Sequence, residues 1–89
     1  MNMTNAAVLA ALPLPEPFMR EGVSIAVTSL SLRGELLIVK VKATCPTHDR
    51  YGFLNPPLVH DGETDPAAAL VEIVGRAVVD GARRMGWSG

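Results

Sequence analysis

Val23-Ser24-Ile25-Ala26-Val27-Thr28 and Leu37-Ile38-Val39-Lys40-Val41-Lys42-Ala43 alternate apolar residues with small or polar ones, and Arg33-Gly34-Glu35 lies between them. A period of two is that of a half-buried strand. Two such runs joined through a glycine predict a β-hairpin. Its register follows from the side chains. A two-residue turn at Arg33-Gly34 places Val23, Ile25 and Val27 on the same face as Lys40 and Lys42, which wastes both patterns. A three-residue loop, Leu32-Arg33-Gly34, pairs Ser31 with Glu35 and sets Val27 opposite Val39, Ile25 opposite Val41 and Val23 opposite Ala43. Gly34 then occupies a left-handed position that glycine favours. This register is the expectation, because a slip of one residue sends a strand's apolar set to the other face.

The same register gives the hairpin a second face. One end carries Ser24, Ala26, Lys40 and Lys42, an ordinary solvated surface. The end near the turn carries Leu30, Leu36 and Ile38 beside Thr28. Three large apolar residues off the main core face need a cover, which is either the N-terminal segment or another chain.

Outward from the hairpin, residues 1–20 read as an N-terminal arm and 21–89 as the folded domain. Residues 1–12 suit a short helix, with Thr4 or Asn5 as N-cap and Pro13 as its end. A helix this short is ordered only if Val8, Leu9 and Leu12 dock; otherwise it is a frayed terminus. Pro13-Leu14-Pro15-Glu16-Pro17 is extended, as each proline imposes on its predecessor. It is either a motif for a partner's groove or a stiff connector that lays Phe18 and Met19 against the sheet, and the connector is the simpler reading.

Thr44 to Glu63 is a long connection in which Tyr51, Phe53, Leu54, Leu58 and Val59 suggest a short third strand near 51–54 on the sheet edge. Asp65-Pro66 opens the last element, with Asp as N-cap and Pro at the first helical position. The helix runs to about Met85, and Gly86 stops it. On a helical wheel Ala67, Leu70, Val71, Val74, Ala77, Val78 and Met85 form a core stripe. Gly81 lies within that stripe and predicts close approach to the sheet backbone. Glu72, Arg76, Asp80 and Arg84 form an alternating i,i+4 ladder on the far side. Val79 falls on that polar face near Trp87, a candidate partner contact. The expected fold class is therefore α+β: an antiparallel hairpin, widened to three strands if the edge strand forms, packed against one long C-terminal helix.

Composition limits the function. Eighty-nine residues make one small domain. Eight basic and nine acidic side chains leave a net charge of −1, which is no electrostatic footprint for nucleic acid or an anionic membrane. The single Cys45 fits a reducing compartment. The apolar run Ala6–Leu12 lacks the basic flank of a signal peptide, and no stretch reaches the length of a membrane span. Cys45, His48, Asp49, His60 and Asp61 are the one cluster of reactive types. Cys45, His48 and His60 could supply three zinc ligands, or a Cys/His nucleophile pair. Structural zinc sites use four ligands with at least two cysteines, so turn residues around a buried cysteine are the plainer reading. No phosphate loop, paired catalytic carboxylates or basic–aromatic interleaving appears along the chain, and no cofactor is expected.

Tyr51-Gly52-Phe53-Leu54-Asn55-Pro56-Pro57, followed by Asp65-Pro66-Ala67-Ala68-Ala69-Leu70 at the head of an apolar helix, resembles small proteins encoded among the structural genes of tailed bacteriophages. The resemblance spans the C-terminal half and transfers no catalytic residue. It implies a non-enzymatic protein that assembles in multiple copies onto a capsid, connector or tail, in the virion or the host cytoplasm. Three functions stand as expectations. The first is a structural or assembly protein acting through Leu30, Leu36, Ile38, Val79 and Phe18. The second is a small inhibitor or regulator docking onto a host protein. The third is a metal module at Cys45, His48 and His60.

Overall fold

Arg33 pairs with Leu36 across a two-residue turn, Gly34-Glu35. In the computed structural model, which describes residues 2–46, 48–62 and 65–86, the elements run β1 (Asn2–Met3), α1 (Ala6–Ala10), β2 (Phe18–Arg20), β3 (Val23–Arg33), β4 (Leu36–Cys45), β5 (His48–Leu54), β6 (Val59–His60) and α2 (Pro66–Arg84). The architecture is α+β, as expected, but the main sheet has four antiparallel strands in the order β2-β3-β4-β5. A separate two-stranded pair, β1-β6, ties the N-terminus to the loop before α2.

The hairpin register differs from the expected three-residue loop. Gly34 has φ +64° and sits at the first central position of a two-residue turn, where a type II′ hairpin requires it. From the turn, Leu32 pairs with Leu37 and Leu30 with Val39. The register then shifts between Val27 and Ser29, so that Val27 pairs with Val41 and Ile25 with Ala43. Thr28 is the extra residue of a β-bulge, and its hydroxyl donates to the Lys40 carbonyl at 3.2 Å. The bulge is already written in β3, whose apolar residues fall at 23, 25 and 27 and then at 30 and 32. The alternation changes parity at Thr28-Ser29, and one unpaired residue there restores a common face. Leu30 consequently belongs to the helix-covered face, packed against the core, and not to the second face where strict alternation puts it.

β2 is a strand of its own, with Phe18 paired to Ile25 and Arg20 to Val23. Glu21 and Gly22 have φ +50° and +83°, the pair of left-handed residues that a type I′ turn needs. The expected edge strand at 51–54 is longer, 48–54, and pairs with β4 from Cys45↔His48 to Val39↔Leu54.

α1 and α2 both cover the inner face. Asn5 caps α1 through its side-chain oxygen, which accepts from the Ala7 amide at 2.8 Å. Leu9 is completely buried alongside Ile25, Leu37, Val39, Leu70 and Val74. The arm is thus part of the core: α1 lies over β3 and β4 and touches α2.

α2 starts at Pro66, with Asp65 in the N-cap position though its carboxylate makes no capping bond. Gly86, φ +79°, turns the chain after it. The buried side of α2 is Ala69, Leu70, Ile73, Val74, Gly75, Val78, Val79 and Ala82, rotated from the expected stripe. Ala67 and Met85 are exposed, and Val71 and Ala77 half-buried. The wheel assumes one covering surface, whereas α2 meets β2, β3, β5, β6 and α1. Val79, expected on the polar face, is 3% exposed; Trp87 lies outside the described residues. The close approach to the sheet backbone predicted at Gly81 does not occur; the tight glycine is Gly75, six residues earlier, and what it meets is side chains. A β-carbon on Gly75 would stand 2.9 Å from Arg20 Cδ and 3.3 Å from Phe18 Cε2, while one on Gly81 would meet nothing within 4 Å. Of the charged ladder, the Glu72–Arg76 rung forms at 2.7 Å, and Arg76 also reaches Asp61 at 3.8 Å. No helix among the described residues is long and apolar enough to cross a membrane.

Candidate functional site: the outer face of the sheet

Both helices lie on the inner face, which leaves the outer face of β2-β3-β4-β5 without a covering layer among the described residues. Antiparallel pairing places directly opposed residues on the same face, so the outer face can be read in rows across the strands. Met19, Ser24, Thr44 and Asp49 form one row, then Ala26, Lys42 and Tyr51, then Ser29, Lys40 and Phe53, then Ser31 and Ile38, and finally Arg33 and Leu36 at the turn. Met19 and Phe53 are each 70% exposed, Tyr51 63% and Leu36 50%. Residues this apolar on one open surface are the kind that mark a contact site.

The polar groups of this face are organised around the rings. Lys40 Nζ stands 5.7 Å from the centre of the Phe53 ring, and Lys42 Nζ 5.4 Å from that of Tyr51. Both lie within cation–π range. Lys42 also pairs with Asp49 at 3.8 Å, and the Thr44 hydroxyl donates to the Asp49 carboxylate at 3.1 Å. Arg33, Lys40 and Lys42 against Asp49 give the face a positive balance on a chain whose net charge is −1. At its hairpin end, Ser31, Leu32, Arg33, Ile38 and Phe53 line an open groove of about 500 Å³. β3 contributes Ser31, Leu32 and Arg33 to its lining, β4 Ile38 and β5 Phe53.

The contact residues expected from sequence divide between the two faces. Leu36 and Ile38 are on the outer face, Leu36 exposed and Ile38 half-buried. Leu30 is on the inner side because of the bulge. Phe18, in the inner row with Ile25, packs toward α2 at Gly75. Val79 is in the interior. Tyr51, Phe53 and the basic–aromatic pairs are not legible as a site in the sequence. Along the chain the lysines and the rings are about ten residues apart, and the β4–β5 register alone brings them side by side.

Cys45 and His60 are both buried, at 7% and 3% exposure, on different sheets. His60 Nδ1 has no hydrogen-bond partner among the described residues. Among the described residues no three His, Cys, Asp or Glu side chains gather closely enough to hold a metal ion; the side chain of His48 lies outside the described residues. Comparison with protein-family models, with curated proteins and with solved structures found no match.

Proposed function

We propose that this chain is a non-enzymatic assembly protein that works by protein–protein contact, with the outer face of the sheet as its contact surface. The observation that supports the reading is the exposure of Met19, Leu36, Tyr51 and Phe53 on one face, while the inner face of the same sheet is closed by two helices. Fully covering one large apolar or aromatic side chain is worth about 1.5–3 kcal/mol. A face of this kind can therefore hold a partner without further chemistry. The phage-like motif of the C-terminal half agrees with a virion or host-cytoplasm setting, and its Tyr51 and Phe53 belong to this face.

A photoreactive phenylalanine analogue at position 53, compared with one at the exposed position 84, tests the contact in cells that make the chain together with the products of its neighbouring genes. Defined cross-links from position 53 to a protein partner are expected, and equal, diffuse labelling from both positions would refute the reading. Flanking capsid or tail genes are the expected genomic setting, and a metabolic operon would remove the phage part. Aromatic rings beside lysines also suit stacked bases, so a single-stranded oligonucleotide is the control. Saturable binding at Tyr51 and Phe53 would turn the reading to nucleic acid.

A further inference from the structure

We infer that the occupant of the outer-face groove is the Leu14-Pro15-Glu16 segment of a second copy of this chain, so that copies join head to tail. The inference rests on the outer face being a contact surface and adds which partner and which segment. The segment joins α1 to β2 without helix or strand, and its prolines bias it to extended backbone; Leu14 is 50% exposed, and Pro13, Glu16 and Pro17 are exposed. A proline-rich strand is already in the conformation that aromatic-lined grooves bind, so little ordering entropy is lost on docking. Leu14 and Glu16 are about 6 Å apart along a polyproline helix. That spacing matches the roughly 7 Å from Phe53 to Tyr51, or from Lys40 to Lys42, along a strand. Leu14 in the groove against Phe53 brings Glu16 to the lysines, opposite in sign to the positive face.

The segment cannot reach the groove of its own chain. Its ends are fixed by Leu12, which packs against the core behind the sheet, and by Phe18, which pairs with Ile25 in β2. The groove lies on the opposite face at the hairpin end, where the Ser31–Ile38 pair is five β4 residues, or about 17 Å, along the sheet from the Ile25–Ala43 pair that Phe18 joins. One segment and one groove at different places on each copy make a heterologous contact, which propagates into a ring or a filament.

Mixing two variants tests this arrangement. Leu14→Asp removes the segment's anchor and leaves the groove; Phe53→Asp removes the groove's wall and leaves the segment. Sedimentation of the wild type is expected to show growth beyond a dimer with concentration, each variant alone to stay monomeric, and their equimolar mixture to stop at dimers. Assembly by Leu14→Asp with none by Phe53→Asp would overturn the inference and leave a symmetric outer-face contact standing. Assembly unaffected by Phe53→Asp would overturn both, and a wild type that stays monomeric at every concentration would overturn the head-to-tail join. Both side chains are exposed, so amide spectra should show each variant folded. As a second measurement, a peptide spanning residues 12–18 is expected to shift the amide signals of Ile38, Tyr51 and Phe53 in the wild type, and the absence of such shifts would refute the docking.

Discussion

Replacing Leu9 by alanine measures how firmly the N-terminal arm belongs to the fold. Leu9 is one of six large side chains with essentially no solvent exposure, yet it sits on a helix of five residues. Such a helix has no stability of its own in water, so Leu9 is held by β3, β4 and α2 and in turn holds α1 in place. Removing its three outer carbons forfeits about 2.4 kcal/mol of transfer energy at about 0.8 kcal/mol per group. Incomplete collapse of the cavity raises the loss to a little over about 3 kcal/mol, within the 2–5 kcal/mol seen for such substitutions. Alanine returns only a tenth or two in helix propensity. The expected net loss is about 3 kcal/mol, from a chain whose whole stability is roughly 4–13 kcal/mol at its length. The melting temperature should fall by about 12–24 °C. Urea denaturation followed by circular dichroism gives the loss directly, with Val8→Ala, at an exposed position of the same helix, as the control within about 0.5 kcal/mol. A Leu9→Ala loss no larger than the control's would mean that α1 is not seated, and the arm would have to be removed from the account of the core.

The two helix glycines make opposite predictions. Gly81→Ala meets open space and should gain about 1 kcal/mol of helix propensity, whereas Gly75→Ala must displace Arg20 and the Phe18 ring and should gain less or lose. Equal gains at both positions, measured by thermal melting, would contradict the packing of β2 on α2. Deleting Thr28 removes the bulge but makes Val27 and Ser29 neighbours with their partners Val41 and Lys40 unchanged, so Val23, Ile25, Val27, Leu30 and Leu32 alternate on the inner face without interruption. A folded product with native-like amide signals is expected, and an unfolded deletion would refute the register. His60→Leu replaces a buried ring with an orphaned nitrogen by an apolar group of similar size and should be neutral or stabilising. A loss above about 1 kcal/mol would show that the imidazole has a partner in solution.

The elements legible in the sequence are those whose local chemistry agrees with their setting. Alternation around Gly34 marks β3 and β4, Asp65-Pro66 and Gly86 bracket α2, and Asn5 caps α1. Two features escape a reading that treats each strand as uniform. The parity change at Thr28-Ser29 is visible in the letters, but strict alternation carried through it puts Leu30 on the wrong face. The turn at Glu21-Gly22 is hidden, because glutamate rarely adopts a positive φ, so β2 does not stand out as a strand separate from β3. The rotated stripe on α2 has another cause. A helical wheel records which residues are apolar, not how many neighbours surround the helix, and Val79 is buried by that multiplicity. The outer-face site is hidden most completely, since Lys40 and Phe53, or Lys42 and Tyr51, become neighbours only through pairing between strands.

The small β1-β6 pair sets a timetable. Asn2 and Met3 bond to His60 and Val59, so β1 finds its partner only after the more than fifty residues between them have been made. At about 5–20 residues per second, that wait is roughly 3–12 s. During it the β3–β4 hairpin, formed by neighbouring residues, closes before α2 is made, and the part of the inner face that α2 covers stays open. A nascent chain of this protein therefore has two exposed sheet faces, and only one of them closes when α2 folds over it.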